Sequence, residues 1–175
     1  MKLNEVAAGP QDYKIYVDLD GVLADFVKGV AQLLDGGYSE EKYESDPKYR
    51  SKMWKAVEDY AKEGGKLWLE LDLMHDAKQL WNYVKDYGPE ILSATGNPEY
   101  GAAPQKLEWV AQHVDPNVKV NLTRKSADKA EYAAPNYILI DDKEKSIGPW
   151  KAAGGIGILH TSAANTIQQL KKLGL

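Results

Sequence analysis

KIYVDLDGVLADF, running from Lys14 to Phe26, decides the fold of this chain. Ile15, Tyr16 and Val17 form a short apolar run that ends in acid at Asp18, the pattern of a buried strand that stops at a site. Asp20 follows, and Gly21 punctuates the run. Beyond it Leu23, Phe26 or Val27, Val30 and Leu34 recur at helical spacing until Gly36-Gly37 marks a stop. The reading is strand, acidic turn, helix.

The same alternation returns downstream. Ala77, Leu80, Trp81, Val84 and Tyr87 make one face of a predicted helix, and residues 90–93 a strand. A second helix is read from Leu107, Val110 and Val114, followed by strands over 118–122 and 137–140. A helix over 143–153, a strand over 156–159 and a last helix carrying Ala163, Ile167, Leu170 and Leu173 complete the series. Strands alternating with helices predict an α/β class: a three-layer, Rossmann-like, mainly parallel sheet covered on both faces. From Tyr38 to Leu67 the composition turns to Tyr, Lys, Glu, Trp and Asp, with helices predicted over 39–44 and 47–62. Residues 36–67 therefore read as a small helical cap insertion, and residues 1–35 and 68–175 as the core.

The bulk numbers exclude several classes. A chain of 175 residues suits one domain with a modest insertion. A net charge of −4 and a pI near 5.4 argue against a dedicated nucleic-acid binder, which needs a basic face. Cysteine is absent, so disulfides and thiolate metal sites are excluded. Met1–Pro10 has no signal-peptide pattern, and no window reaches the roughly 18 apolar residues of a membrane helix. A cytoplasmic protein of a bacterium or a phage-infected host is expected. The assembly state is left open, with a homodimer as one option.

Three predicted strand exits carry acids or hydroxyls: Asp18 and Asp20 after the first, Ser93-Ala94-Thr95-Gly96 after EIL, and Asp141-Asp142 after YILI. In a parallel sheet these gather on one rim. Four carboxylates meeting there repel one another unless a cation is present, and Mg2+ suits carboxylates that share it with phosphate oxygens and water. An Asp after a strand is often only a turn or cap residue. Two acid pairs with a hydroxyl exit between them make that reading the weaker one.

At these residues the chain resembles the haloacid dehalogenase superfamily. VDLDGVLADF is similar to its first motif, Ser93 after EIL to the second, and Asp141-Asp142 after ILI to the acidic fourth. The basic third motif is a Lys before the last of these strands. Lys129, twelve residues before Asp141, fits that spacing better than Lys125, which competes with it. More narrowly, DLDGVLADF, LWLELDL, KLEWVAQHV, LTRK and LIDDK resemble the 5'(3')-deoxyribonucleotidases and their phage and bacterial relatives. One departure is Ser-Ala-Thr-Gly where mammalian members have Thr-Ser-Pro.

The resemblance implies a Mg2+-dependent phosphomonoesterase acting on a small nucleotide. Asp18 would be the nucleophile, Asp20 the acid and then the base. Ser93 would donate to a phosphoryl oxygen, and Lys129 would neutralise charge on the transferring group. The cation would be held by Asp18, the Asp20 carbonyl and one acid of the last pair, Asp142 before Asp141. Gly21, Ala94, Thr95 and Lys125 would border the phosphate, and Phe26 and Trp68 would face the base. Trp54 and Tyr60 read rather as packing of the insertion. His75, His113 and His160 lack ligand spacing and receive no role.

Overall fold

The computed structural model describes residues 12–175. The expectation for Met1–Pro10 lies outside the described residues.

Five strands form one sheet, β1 (Lys14–Val17), β2 (Glu90–Ala94), β3 (Val120–Thr123), β4 (Tyr137–Asp141) and β5 (Ile156–Leu159), in the order β3-β2-β1-β4-β5. Every pairing is parallel, with Val17 opposite Ile91 on one side and Ile140 on the other. β1 is therefore central and buried from both edges, which is why its residues read as a continuous apolar run.

Alternate residues of each strand face opposite layers. Ile15, Val17, Ile91, Ile138 and Ile140 pack with α4 (Ala77–Val84), α5 (Ala102–His113) and α7 (Ala163–Lys172) through Leu80, Val84, Trp109, Val110 and Leu170. Tyr16, Leu92 and Leu139 pack on the other face with Ile147 and Trp150 of α6 (Glu144–Ala152). The expected three-layer α/β architecture is present. Among the described residues no helix is long and apolar enough to cross a membrane.

Three local expectations need correction. The helix expected to begin near Leu23 is shorter: α1 spans Phe26–Ala31. Before it, Val22, Leu23 and Ala24 all donate backbone N–H groups to the Leu19 carbonyl, and Ala24 bridges to Leu73. Asp25 then caps α1 by accepting from the Lys28 N–H. Helical spacing was real in the letters, but a tight acidic turn consumed its first positions. The helix expected to reach Tyr87 ends at Val84 and tightens into a 3-10 turn over Lys85–Tyr87, stopped by left-handed Gly88. On α5 the buried face is Ala102, Lys106, Trp109 and Val110, while Leu107 is 47% exposed. The apolar letters pointed to the wrong phase because a lysine occupies the inward face.

The insertion carries α2 (Glu40–Ser45) and α3 (Pro47–Lys62), capped by Ser39 and Asp46. Met53 and Val57 of α3 join the same apolar cluster as β1 and the 67–71 segment, so the insertion is packed on the core. Trp109 secures that segment from the other side: its indole N–H donates to the Leu71 carbonyl at 2.8 Å, fully buried. Trp109→Phe should thus lower stability by about 1–3 kcal/mol, the cost of a lost buried hydrogen bond with its acceptor unpaired. A urea titration checks this; an unchanged midpoint would contradict it.

Candidate active site

The ends of all five strands open into one cavity of about 1000 Å³. Asp18, Asp20 and Gly21 enter it after β1, Ser93 to Gly96 at β2, and Arg124 to Ala127 after β3. Asp141, Asp142 and Lys143 follow from β4, and His160 and Thr161 from β5. A parallel sheet dictates this: every strand exits on the same edge, so residues distant in sequence become neighbours.

At the floor, Lys129 joins two acids. Its Nζ lies 2.9 Å from Asp18 Oδ1 and 2.6 Å from Asp141 Oδ2, and all three side chains are buried. Burial works against the Lys129 ammonium, but Asp18 and Asp141 outweigh it and hold its pKa above the ordinary lysine range. The 3-10 segment Ser126–Tyr132 delivers Lys129 to this point, whereas Lys125 is exposed at the cavity margin. Asp141 has both oxygens engaged, since Oδ1 also accepts from the Lys143 N–H at 2.9 Å. Burial and the neighbouring Asp18 push its carboxyl up even so, against the pull of Lys129.

Asp142 is different. Burial first, then Asp18 and Asp141, push its carboxyl up to about 8. Ligand oxygens of Asp18, Asp141 and Asp142 lie within 4.8 Å of one another. Lys129 and Lys106 are in direct contact with Asp18, Asp141 and Asp20, and Lys143 acts on Asp142 without a hydrogen bond to it. The all-carboxylate donor set of Asp18, Asp141 and Asp142 suits a hard ion such as Mg2+. Gly21 makes room: it sits at φ +82°, and a Cβ there would collide with the Asp142 carboxylate.

A second cluster surrounds Asp20. Its Oδ2 accepts from Lys106 Nζ at 2.8 Å and from the Trp68 indole N–H at 3.3 Å. Its Oδ1 is buried without a hydrogen-bond partner. The same Lys106 Nζ donates to Ser93 Oγ at 2.8 Å and to the Ala94 carbonyl at 2.7 Å. Because an ammonium only donates, the Ser93 hydroxyl hydrogen stays free for another acceptor. Thr95 differs, since its N–H and its hydroxyl both donate to the Thr123 carbonyl.

Sequence reading assigned no role to Lys106, although it is 2% exposed and touches three site groups. Testing each phase of the α5 pattern for a lysine in register with Trp109 and Val110 was the available signal. It also assigned none to Gln105, whose side-chain carbonyl accepts from the backbone N–H groups of Trp68 and Leu69 and so holds the segment that carries the indole.

An aromatic wall stands over the floor. Phe26 lies 6.1 Å from Trp68 and 5.8 Å from Trp54, and Trp54 stacks on Tyr100 at 5.0 Å. Trp68 is buried, its indole N–H turned to Asp20. Phe26 and Trp54 are partly exposed and line the cavity with Tyr38 and Tyr43. Tyr60 lies away from it, donating to Glu70. Lys143 ties the insertion to the rim through Glu40 Oε1 at 2.7 Å, and Tyr38 donates to the other Glu40 oxygen. His160 borders the cavity with Nδ1 2.7 Å from the Thr166 hydroxyl, and burial lowers its pKa.

No protein-family model matches the sequence, nor does any curated protein. Solved structures do resemble the fold. A haloacid dehalogenase-like hydrolase of Streptococcus pneumoniae aligns at TM-score 0.58 and 15% identity, over 90% of each chain. A HAD-hydrolase of Bacillus subtilis bound to magnesium aligns at TM-score 0.58 and 12% identity, over 93% of this chain and 99% of that one. L-2-haloacid dehalogenase of Xanthobacter autotrophicus aligns at 0.53 and 14%, over 91% and 82%. The core therefore has the haloacid dehalogenase-like fold.

Two outcomes are expected. Gly21→Ala should weaken Mg2+ binding at least tenfold in calorimetric titration while the protein stays folded; wild-type affinity in that variant would detach Gly21 from the cation site. Because the cation-free Asp142 carboxyl holds a proton up to about pH 8, Mg2+ binding should release that proton and tighten from pH 6 to pH 8. Titrations in buffers of different ionisation enthalpy read the proton directly, and none released at pH 7 would contradict the assignment.

Proposed function

From a core shared with haloacid dehalogenase-like hydrolases, we propose that this chain is a Mg2+-dependent phosphomonoesterase with Asp18 as nucleophile, acting on nucleoside monophosphates. The observation that carries the reading is the convergence of Asp18, Asp141 and Asp142 within ligand distance around buried Lys129, at the floor of the cavity.

Each residue has a physical task. Lys129 engages Asp18 Oδ1, which fixes the carboxylate and leaves its second oxygen to attack phosphorus in line. The phosphorus–oxygen bond to the leaving alcohol breaks, and Asp20 supplies that oxygen with a proton. Water then attacks phosphorus, Asp20 takes its proton, and the bond to Asp18 breaks to release inorganic phosphate. Ser93 donates its free hydroxyl hydrogen to a phosphoryl oxygen, and Lys129 offsets the charge on Asp18 and the transferring group. Asp18, Asp142 and the Asp20 carbonyl would hold Mg2+, which supplies charge neutralisation between two anions. Asp141, with both oxygens occupied, positions Lys129.

The nucleotide preference rests on the wall. Partly exposed Phe26 and Trp54 offer aromatic faces beside the phosphate floor, where a base can stack for about 1–3 kcal/mol. The insertion that carries Trp54 would act as a cap that excludes water from the reacting phosphate. A second reading, hydrolysis of a 3'-phosphate on a nucleic-acid end, is favoured by Arg124, Lys125 and Lys145 at the cavity margin. The acidic balance of the chain weighs against it.

Phosphate release from 5'- and 3'-nucleoside monophosphates, sugar phosphates and 3'-phosphorylated oligonucleotides, with Mg2+ and with chelator, separates these readings. Turnover should be highest on deoxyribonucleotides and vanish with chelator; turnover confined to oligonucleotides or sugar phosphates would overturn the substrate assignment. Asp18→Asn should lower kcat by about 10⁴-fold or more with folding intact, as expected when a nucleophile is lost. Activity within tenfold of wild type would remove Asp18 from that role.

A further inference from the structure

The general acid of a phosphomonoesterase has to keep its carboxyl still beside the leaving group. Around Asp20 the protein treats the two oxygens unequally. Oδ2 accepts from the Lys106 ammonium and the Trp68 indole, donors delivered by α5 and by the segment that leaves the insertion. Oδ1 is shielded from water and has no partner. Lys106 itself has little freedom, since its ammonium is held by Asp20, Ser93 Oγ and the Ala94 carbonyl, all within 2.8 Å. Burying a lysine on a helix face otherwise packed with Trp109 and Val110 has a desolvation cost that an apolar residue would avoid.

We propose that Lys106 is a positioning residue that acts through Asp20: with Trp68 it holds the Asp20 carboxyl in the orientation from which its proton passes to the leaving oxygen. This rests on the phosphomonoesterase reading. The physical gain comes in the first step, when Asp20 passes from carboxylic acid to carboxylate. A fixed cation 2.8 Å from Oδ2 stabilises the charge that appears on Asp20 as its proton leaves. No reorganisation is required, because the three acceptors of Lys106 are already in place. Lys129 serves a separate pair of acids, Asp18 and Asp141, so the two buried lysines divide the work between nucleophile and acid. Trp68 adds a link to the aromatic wall, since the indole that steadies Asp20 also stacks on Phe26 at 6.1 Å.

The test compares kcat/KM of wild type, Lys106→Met, Asp20→Asn and the double variant on two esters, p-nitrophenyl phosphate and a simple alkyl phosphate. This parameter stops at formation of the phospho-enzyme, so the acid is read without the later base role. Lys106→Met should lose about 10²-fold on the alkyl ester, within the range that general acids contribute. On the nitrophenyl ester, whose leaving group needs no proton, the loss should stay within about threefold, and in the Asp20→Asn background the added loss should nearly vanish. Equal losses on both esters, or an undiminished loss beside Asp20→Asn, would show Lys106 acting on the phosphate or the fold and would overturn the proposal. A wild-type protein that hydrolyses neither ester and releases no phosphate from nucleoside monophosphates, sugar phosphates or 3'-phosphorylated oligonucleotides would fail the phosphomonoesterase reading itself.

Should the methionine variant not fold, the absence of native cysteine provides a second route. Lys106→Cys, alkylated in denaturant with bromoethylamine and refolded, rebuilds an ammonium at this position alone. It should recover the wild-type contrast between the two esters. A refolded, aminoethylated protein that leaves the alkyl ester selectively slow would also overturn the proposal.

Discussion

The constraint on which the rest depends is the burial of like charge at the end of β1. Asp18 and Asp141 are brought together by the pairing of β1 with β4, and both are buried. Two carboxylates so placed are tolerable only with compensating positive charge. Lys129 supplies one unit between them, and Asp142, one residue beyond, remains under-compensated. The fold is thus arranged so that its most central strand ends in an electrostatic deficit. A carboxyl perturbed by burial and by neighbouring acids, at the floor of a cavity, is the kind of group that marks a functional site.

Everything around this deficit serves access to it. The left-handed turn at Gly21 lets the chain pass beside Asp142, and the Leu19 carbonyl gathers three N–H groups to fold the acidic turn back over the strand end. The insertion is anchored below by Met53 and Val57 in the common core and above by the Glu40–Lys143 pair. That pair is partly exposed and contributes little to stability, about 0–1 kcal/mol. Its effect is on geometry: it brings the helical segment to the rim that holds the acids.

Much of this was legible in the letters because the sheet is parallel and central strands are short apolar runs. KIYVD, EILSA and YILID each announce a strand and the side chain at its exit, so the meeting of Asp18, Ser93 and Asp141-Asp142 could be foreseen. The place of Lys129 followed from the resemblance to the haloacid dehalogenase superfamily, whose third motif sets the spacing to the acid pair. Less legible were groups whose role depends on orientation. Lys106 hid in α5 because a lysine among Leu, Trp and Val reads as the solvent face until the phase of the helix is known. Trp68 lines the cavity, and its indole N–H also donates to Asp20, a contact between residues 48 positions apart that no local pattern encodes. The shortened α1 has the same cause: whether Leu23 continues a helix or closes a turn depends on Leu73 across the loop.

As the proposed nucleophile, Asp18 would carry an acyl phosphate during turnover. Quenching the enzyme in acid while it hydrolyses a nucleotide, reducing with borohydride and mapping peptides by mass spectrometry tests this directly. Homoserine is expected at position 18 and at no other aspartate, appearing only with Mg2+ and substrate together. Reduction at a different residue, or an unaltered Asp18 peptide from an enzyme in steady turnover, would contradict it.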